Sequence, residues 1–73
     1  MRAIGSRSHA IAEMIRRLVA MREANIKELE QYVPGYRQKV RRMETEDTTL
    51  GLDSFIDLMT ALRCEVVVVP LGG

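Results

Sequence analysis

The sequence predicts a small, mainly α-helical domain of four helices that ends in a short β-strand. Three observations support this fold class. Apolar residues recur at intervals of three and four through most of the chain, as they do on amphipathic helices. Pro34-Gly35 and the threonine-rich, acidic stretch 45–51 interrupt that pattern. Four consecutive valines at 66–69 then follow, and β-branched residues favour strands.

The first predicted helix runs from Ser8 to Arg22, with Ser8 as its N-cap. Its apolar stripe consists of Ile11, Ile15, Leu18 and Val19. A second helix is expected to begin after Asn25, because Asn25 and Glu28 have the spacing of a capping box. Proline cannot continue a helical hydrogen-bond ladder, so Pro34-Gly35 is predicted to end this helix.

The third predicted helix runs from Tyr36 to about Glu44 and has two apolar anchors, Val40 and Met43. Its other positions are polar or basic, which leaves its outer face free of core packing. A fourth helix is expected after the loop 45–51, with a broad buried face. That face consists of Leu52, Phe55, Ile56, Met59 and Leu62. We expect the methionines to fill the core, namely Met14, Met21, Met43 and Met59.

The tail is predicted to form a β-strand that pairs between two subunits. One strand alone is not stable in water, and no other segment of this sequence has the composition of a strand. We therefore expect an antiparallel ribbon across a twofold axis, built from Glu65, Val66, Val67, Val68 and Val69. The alternative is a tail that packs as irregular chain over the core or aggregates.

The length of 73 residues allows one domain. We expect a flexible arm at 1–7, a helical domain at 8–63, the dimerising strand at 64–70 and a short tail at 71–73. A core this small usually needs additional stabilisation, and a single cysteine, Cys64, cannot form an internal disulfide. Dimerisation is therefore the expected source of that stability, and Cys64 is expected to be a buried small hydrophobe.

The composition argues against an enzyme, a metalloprotein and a membrane protein. With one histidine and one cysteine, the sequence offers no metal cluster, no nucleophile paired with a base and no phosphate-binding glycine loop. We expect no cofactor. No apolar run approaches the ~20 residues of a membrane span, and the first residues do not resemble a signal peptide, so a cytoplasmic location is expected.

The net charge of +1 conceals a local separation of charge. Residues 37–42 carry four basic side chains and no acid, whereas every charged residue from 44 to 53 is acidic. This separation suits a protein that presents one face to phosphate groups.

The apolar anchors follow a recognisable order. They are Leu29, Val33, Val40 and Met43, with Glu44 directly after them, and then Leu52, Phe55, Leu58 and Leu62. From about Ile11 to Leu62 this pattern resembles the lambda-repressor-like (XRE or Cro/C1-type) helix-turn-helix domain. The segment 58–70 is similar to the ending of Cro-like repressors and HipB-like antitoxins, in which a β-strand pairs between subunits. The chain departs from the family at its turn, where Pro34, Gly35 and Tyr36 replace a sequence with a hydroxyl N-cap, and at Ile26, where glutamine is common.

The resemblance implies a bacterial or phage protein whose third helix enters the major groove of duplex DNA. Arginine suits guanine and glutamine suits adenine, so base contacts are predicted for Arg37, Gln38 and Arg41. Phosphate contacts are predicted for Lys39, Arg42, Arg22 and Lys27, and for the free backbone amides at Asn25. Tyr36 is either a lid on the core or a contact to a phosphate or a thymine methyl group.

The acidic residues after the third helix and the N-terminal arm are not expected to contact bases. Glu44 is expected to hold a nearby arginine or cap a backbone group, and Glu46 and Asp47 to keep their loop away from phosphates. The arm, which contains Arg2 and Arg7, either reaches along the duplex or is disordered.

Three functions remain open at this point. The first is a homodimeric transcriptional repressor that binds an inverted repeat, with half-sites about 10 bp apart. The second is an antitoxin, which binds operator DNA and also a toxin protein. The third is a protein-interaction module that has the fold without the DNA activity.

Overall fold

Four α-helices make up the ordered body of the protein. A computed structural model describes residues 7–72 and contains α1 (Arg7–Arg22), α2 (Ile26–Tyr32), α3 (Tyr36–Thr45) and α4 (Leu52–Ala61). The predicted mainly helical, four-helix architecture is confirmed. Most of the predicted N-terminal arm, residues 1–6, lies outside the described residues, as does Gly73.

All four helices contribute to one hydrophobic core. α1 packs against α3, and α2 packs against both α3 and α4. The buried apolar side chains are Ala12, Ile15, Leu29, Val33, Tyr36, Val40, Met43, Leu58, Met59 and Leu62. Half-buried residues surround them, including Ile11, Leu18, Val19, Phe55 and Cys64. The radius of gyration, 12.9 Å, is that of a compact chain of this length.

Local sequence signals set the ends of α2. Asn25 is the N-cap, as predicted, but the bond is not that of a capping box: its side-chain oxygen accepts from the Lys27 backbone N–H at 2.8 Å, and the Glu28 N–H donates to the Asn25 backbone carbonyl. At the other end α2 stops at Tyr32, two residues before Pro34. Gly35 then adopts a φ of 79°, a left-handed conformation that side chains disfavour, and the chain turns directly into α3.

The predicted N-cap role of Ser8 is wrong. Ser8 lies inside α1, one residue after its start, and is buried. Its hydroxyl donates a hydrogen bond to Asp47 Oδ1 at 2.8 Å. The side chain thus ties α1 to the α3–α4 loop instead of capping its own helix.

Part of the predicted apolar core is exposed. Leu52 is 72% exposed and Ile56 is 45% exposed, because α4 turns its Leu58, Met59 and Leu62 side toward α2. Met14 and Met21 are exposed as well, at 41% and 76%, so the prediction that they fill the core is wrong.

The tail is extended and irregular. No residue between 7 and 72 belongs to a β-strand, so the strand predicted at 64–70 is absent from the single chain. Strand pairing needs a neighbouring strand, which the helical body does not provide. Four valines and Leu71 therefore stand exposed beyond the end of α4. None of the helices in this part of the chain is long and apolar enough to cross a membrane.

Candidate nucleic-acid interface

The outer face of α3 carries a cluster of polar and basic side chains. α3 holds the core with Tyr36, Val40 and Met43, each at most 4% exposed. At about 100° per residue, Gln38 and Arg41 lie on the opposite side of the helix from that buried stripe. Five exposed side chains form what we call the α3 outer face: Arg37, Gln38, Lys39, Arg41 and Arg42.

The basic residues occupy both edges of this face. Arg37 and Arg41 border a groove between α1 and α3, which Ile26, at the start of α2, also lines. Lys39 and Arg42 border a second depression, formed with the loop before α4. Gln38 lies between the two edges. The α3 outer face thus presents positive charge along both sides of an exposed helix.

Most of these charges form no salt bridge within the described chain. No salt bridge among residues 7–72 involves Arg37, Lys39 or Arg41. Arg42 Nε lies 3.7 Å from Glu46 Oε1, a pair one helical turn apart in which both side chains are exposed. Such exposed pairs contribute little to stability, so they exchange readily for other anions.

An ion pair fixes α3 to α1. Arg16 Nη2 donates a hydrogen bond to Glu44 Oε1 at 2.9 Å, and Arg16 Nε donates to Glu44 Oε2. The hydrogen bond from Arg16 holds the pKa of the Glu44 carboxyl below its ordinary value. This is the role predicted for Glu44, which holds a nearby arginine. The pair sets the position of α3 against α1 in addition to the core contacts.

Glu30 caps α3 in place of the missing N-cap hydroxyl. Gly35 occupies the N-cap position and has no side chain to accept a hydrogen bond. Glu30, in α2, accepts instead from the backbone N–H of Gly35 at 3.1 Å and of Arg37 at 2.9 Å. The hydrogen bond from the Arg37 amide is the main cause that lowers the Glu30 pKa. The carboxylate joins α2 to the first turn of α3 and so fixes the angle between these helices.

The sequence did not reveal this role of Glu30, because its partners lie five and seven residues further along, across a turn. The sequence offered one signal: the N-cap position of α3 is a glycine, which has no side-chain oxygen, and an acidic residue lies on the helix just before it. Glu30 also places a negative charge beside Arg37.

Other predicted contact residues have structural roles in this chain. Arg22 donates hydrogen bonds from Nε to the Leu62 carbonyl at 3.0 Å and from Nη2 to the Arg63 carbonyl at 2.8 Å. Its guanidinium therefore caps the end of α4 and is not directed away from the protein. Tyr36 belongs to the core, and burial raises the pKa of its hydroxyl. Of the two alternatives for Tyr36, the structure places it as a lid on the core.

The two residues predicted to contact phosphate at the start of α2, Asn25 and Lys27, are both exposed. Lys27 is exposed in the first turn of α2. Asn25 is exposed as well, but its side-chain oxygen already accepts from the Lys27 amide. Because Ile26 lines the same groove as Arg37 and Arg41, the start of α2 adjoins the α1 edge of the α3 outer face.

The acidic loop after α3 directs its carboxylates toward the protein itself. Asp47 accepts from Ser8, and Glu46 lies beside Arg42. Small polar residues that the sequence did not single out, Thr48, Thr49 and Ser54, line the depression beside Lys39 and Arg42. This edge of α3 therefore combines two cations with hydroxyl groups, a combination that suits phosphate oxygens.

The described residues contain no group of three histidine, cysteine, aspartate or glutamate side chains that could hold a metal ion. Comparison with known proteins finds no matching family model, no matching curated protein and no matching solved structure.

Proposed function

We propose that this chain is a helix-turn-helix protein that binds duplex DNA as a homodimer on an inverted repeat and regulates transcription as a repressor. In this proposal α2 and α3 are the two helices of the motif, and α3 lies in the major groove. Occlusion of the promoter would be sufficient for repression, since it needs no further domain.

The observation that carries the proposal is the α3 outer face. α3 is anchored in the core by three buried side chains and presents Arg37, Gln38 and Arg41 to solvent. Neither arginine has a salt-bridge partner in the described chain. These residue types match the hydrogen-bonding edges of guanine and adenine.

The two edges of α3 then have separate roles. Lys39 and Arg42, with the hydroxyl groups of the loop before α4, would hold one phosphate backbone. The exposed Lys27 side chain, in the first turn of α2, would hold the other strand. Arg22 is left out of this set because its guanidinium caps α4.

The dimer is proposed from the tail. The extended valines at 66–69 have unpaired backbone groups and exposed side chains, and pairing with a second tail would cover both. A twofold dimer that binds both half-sites would present its two α3 helices about 34 Å apart, one turn of the duplex. Cytoplasmic location belongs to the same proposal.

The experiment that tests this function is selection of binding sites from a random duplex library at moderate salt, with purified full-length protein. We expect enrichment of an inverted repeat with half-sites about 10 bp apart. A helical, folded protein that enriches no sequence would contradict the proposal.

A protein-interaction module is the second candidate, and Glu30 favours it. Its carboxylate occupies the amides at the start of α3 and lies beside Arg37, so this end of the helix offers less positive charge to a phosphate. Binding of no duplex at low salt would support that candidate. An antitoxin would bind DNA equally and would also co-purify with a larger partner when the two are expressed together.

A further inference from the structure

A groove between α1, the start of α2 and α3 forms the basis of the inference. Its volume of about 420 Å³ falls in the range of pockets that hold small organic molecules, about 300–1,000 Å³. Four of the side chains that line it are apolar: Val19, Ala20, Ile26 and Val40. We call this site the α1–α3 groove. A molecule bound there would cover these side chains with an apolar body of its own.

The charged residues that line the α1–α3 groove are all arginines, namely Arg16, Arg37 and Arg41. No acid is among its described lining residues, although the chain as a whole carries a net charge of only +1. Glu44 binds Arg16 and Glu30 lies beside Arg37, but Arg41 forms no salt bridge within residues 7–72. The groove therefore favours a ligand that carries negative charge.

Tyr36 places one further polar group at the α1–α3 groove. Its side chain is only 4% exposed, and among residues 7–72 its hydroxyl has no hydrogen-bond partner. No fully buried side-chain oxygen or nitrogen of the described residues lacks a partner, so this hydroxyl must reach solvent, which Tyr36 meets at the groove. Buried tyrosine hydroxyls usually find a hydrogen-bond partner. A ligand oxygen in the groove would supply one.

We propose that the α1–α3 groove binds a small organic anion with an apolar body, such as an aromatic carboxylate. The carboxylate would accept hydrogen bonds from Arg41 and from the Tyr36 hydroxyl, and the rings would cover Val19 and Ile26. The phosphate backbone of DNA could meet the arginines, but it has no apolar part to cover those two side chains. A small organic anion satisfies the charged and the apolar lining together.

Such a ligand would compete with DNA. Arg37 and Arg41 also supply base contacts in the proposed function, and this part of the inference rests on that function. The pair of donors with which a guanidinium binds a carboxylate is not available to the O6 and N7 atoms of guanine. The bound negative charge would also repel nearby phosphates. The groove would therefore act as an effector site, at which binding of the anion releases the protein from its operator.

The binding site is tested by NMR titration of the 15N-labelled full chain with 2-naphthoate. A compound of about 13 non-hydrogen atoms should bind with a dissociation constant of about 1 mM or lower. Amide shift changes should concentrate at the residues that line the groove. The neutral 2-naphthamide has the same rings and should bind at least about tenfold more weakly, since it does not pair with the arginines. The inference is overturned if 2-naphthoate fails to bind at about 10 mM or binds no better than the amide.

Two leucine substitutions on α1 provide a matched pair. Ala10 and Ala20 are both exposed, but only Ala20 lines the α1–α3 groove. Leucine is a good helix former, so both variants should keep the helical content of the parent chain. Ala20→Leu fills the groove and should raise the dissociation constant of 2-naphthoate at least about tenfold, whereas Ala10→Leu should change it less than about twofold. Equal affinities of Ala20→Leu and the parent would place the ligand elsewhere and overturn the inference.

Tyr36→Phe tests the hydroxyl separately. The ring stays in the core, so the fold should be retained, while the loss of a hydrogen bond to a charged group should weaken 2-naphthoate at least about tenfold. An unchanged affinity would contradict the role of Tyr36 in the site.

Fluorescence anisotropy of a labelled mixed-sequence duplex at low salt tests the competition. 2-Naphthoate should displace the duplex from the parent chain but not from Ala20→Leu. Acetate at the same concentration carries the charge without the rings and should displace less. Equal displacement by acetate would reflect screening by salt and overturn the competition. 2-Naphthoate that binds without displacing a bound duplex would overturn the effector role alone. A chain that binds 2-naphthoate in the groove but binds no duplex would overturn the DNA function and leave the binding site supported.

Discussion

Replacing Arg41 by alanine tests whether the α3 outer face distinguishes one DNA sequence from another. Arg41 is exposed, points away from Val40 and Met43, and has no salt bridge in the described chain, so its removal should leave the fold intact. A bidentate contact from arginine to guanine contributes about 1–3 kcal/mol of discrimination against the wrong base. A symmetric dimer loses two such contacts, which corresponds to a loss of sequence preference of at least about 25-fold, at 1.4 kcal/mol for each factor of ten.

Lys39→Ala provides the contrasting variant. Lys39 lies on the loop edge of α3 and is proposed to bind phosphate, so its removal should weaken binding to all sequences alike. The slope of log affinity against log salt should flatten by about one unit for each protomer. Arg17→Ala removes the same charge from the solvent side of α1, opposite Ile15, and should change neither quantity by a comparable amount.

Fluorescence anisotropy provides the assay. The affinity of each variant for the selected duplex and for a scrambled duplex would be measured between about 50 and 200 mM salt, the range in which phosphate contacts change affinity steeply. If Arg41→Ala and Lys39→Ala lose affinity for both duplexes in equal proportion, the division of α3 into base contacts and phosphate contacts is wrong.

Three further predictions concern the contacts that position α3 and α2. Glu30 has a lowered pKa, so its stabilising contribution is present above the ordinary glutamate pKa of about 4.3 and is lost as the pH falls through the folded-state value. Melting temperatures of the parent and Glu30→Gln should therefore differ most above about pH 5 and converge in acid; parallel curves would contradict this. A double-mutant cycle between Arg16→Ala and Glu44→Ala, measured by urea unfolding, should give a coupling of about 0.2–1 kcal/mol, since both side chains are partly exposed. No coupling would mean that the pair does not fix α3. Asn25→Ala should cost about 0.5–2 kcal/mol of unfolding free energy and Asn25→Gly a few tenths, and equal losses would refute the capping role.

The periodic pattern of apolar residues was enough to predict the helices. Ile15, Leu29, Val40 and Met43 lie in the core as their spacing indicates. The N-cap position of Asn25 was predictable because capping is local, although its partner is the Lys27 amide. These features depend on neighbours within one or two turns.

Features that depend on residues far apart in the chain could not be predicted from the sequence. Ser8 bonds Asp47, 39 residues away, and this contact replaced the expected cap. The apolar residues of α4 occupy more than one side of the helix, so spacing could not tell which side faces the core. Leu52 and Ile56 are exposed for that reason.

The residues of the candidate interface also differ in whether their positions could be predicted from local sequence. The exposure of Arg37, Gln38 and Arg41 follows from their positions relative to Val40 and Met43 and was predictable. The engagement of Arg22 with the end of α4 joins residues about 40 positions apart, which no local pattern indicates. The DNA contacts of the exposed set stay predictions.

The central claim is that the α3 outer face meets DNA. The most direct test is NMR titration of the full-length, 15N-labelled protein with a short mixed-sequence duplex at low salt, where non-specific binding engages the same phosphate contacts. The account predicts that amide shift changes concentrate at 37–42 and at the start of α2, and that they reverse as salt is added. Shift changes concentrated on α4, or no change at any duplex concentration, would contradict it.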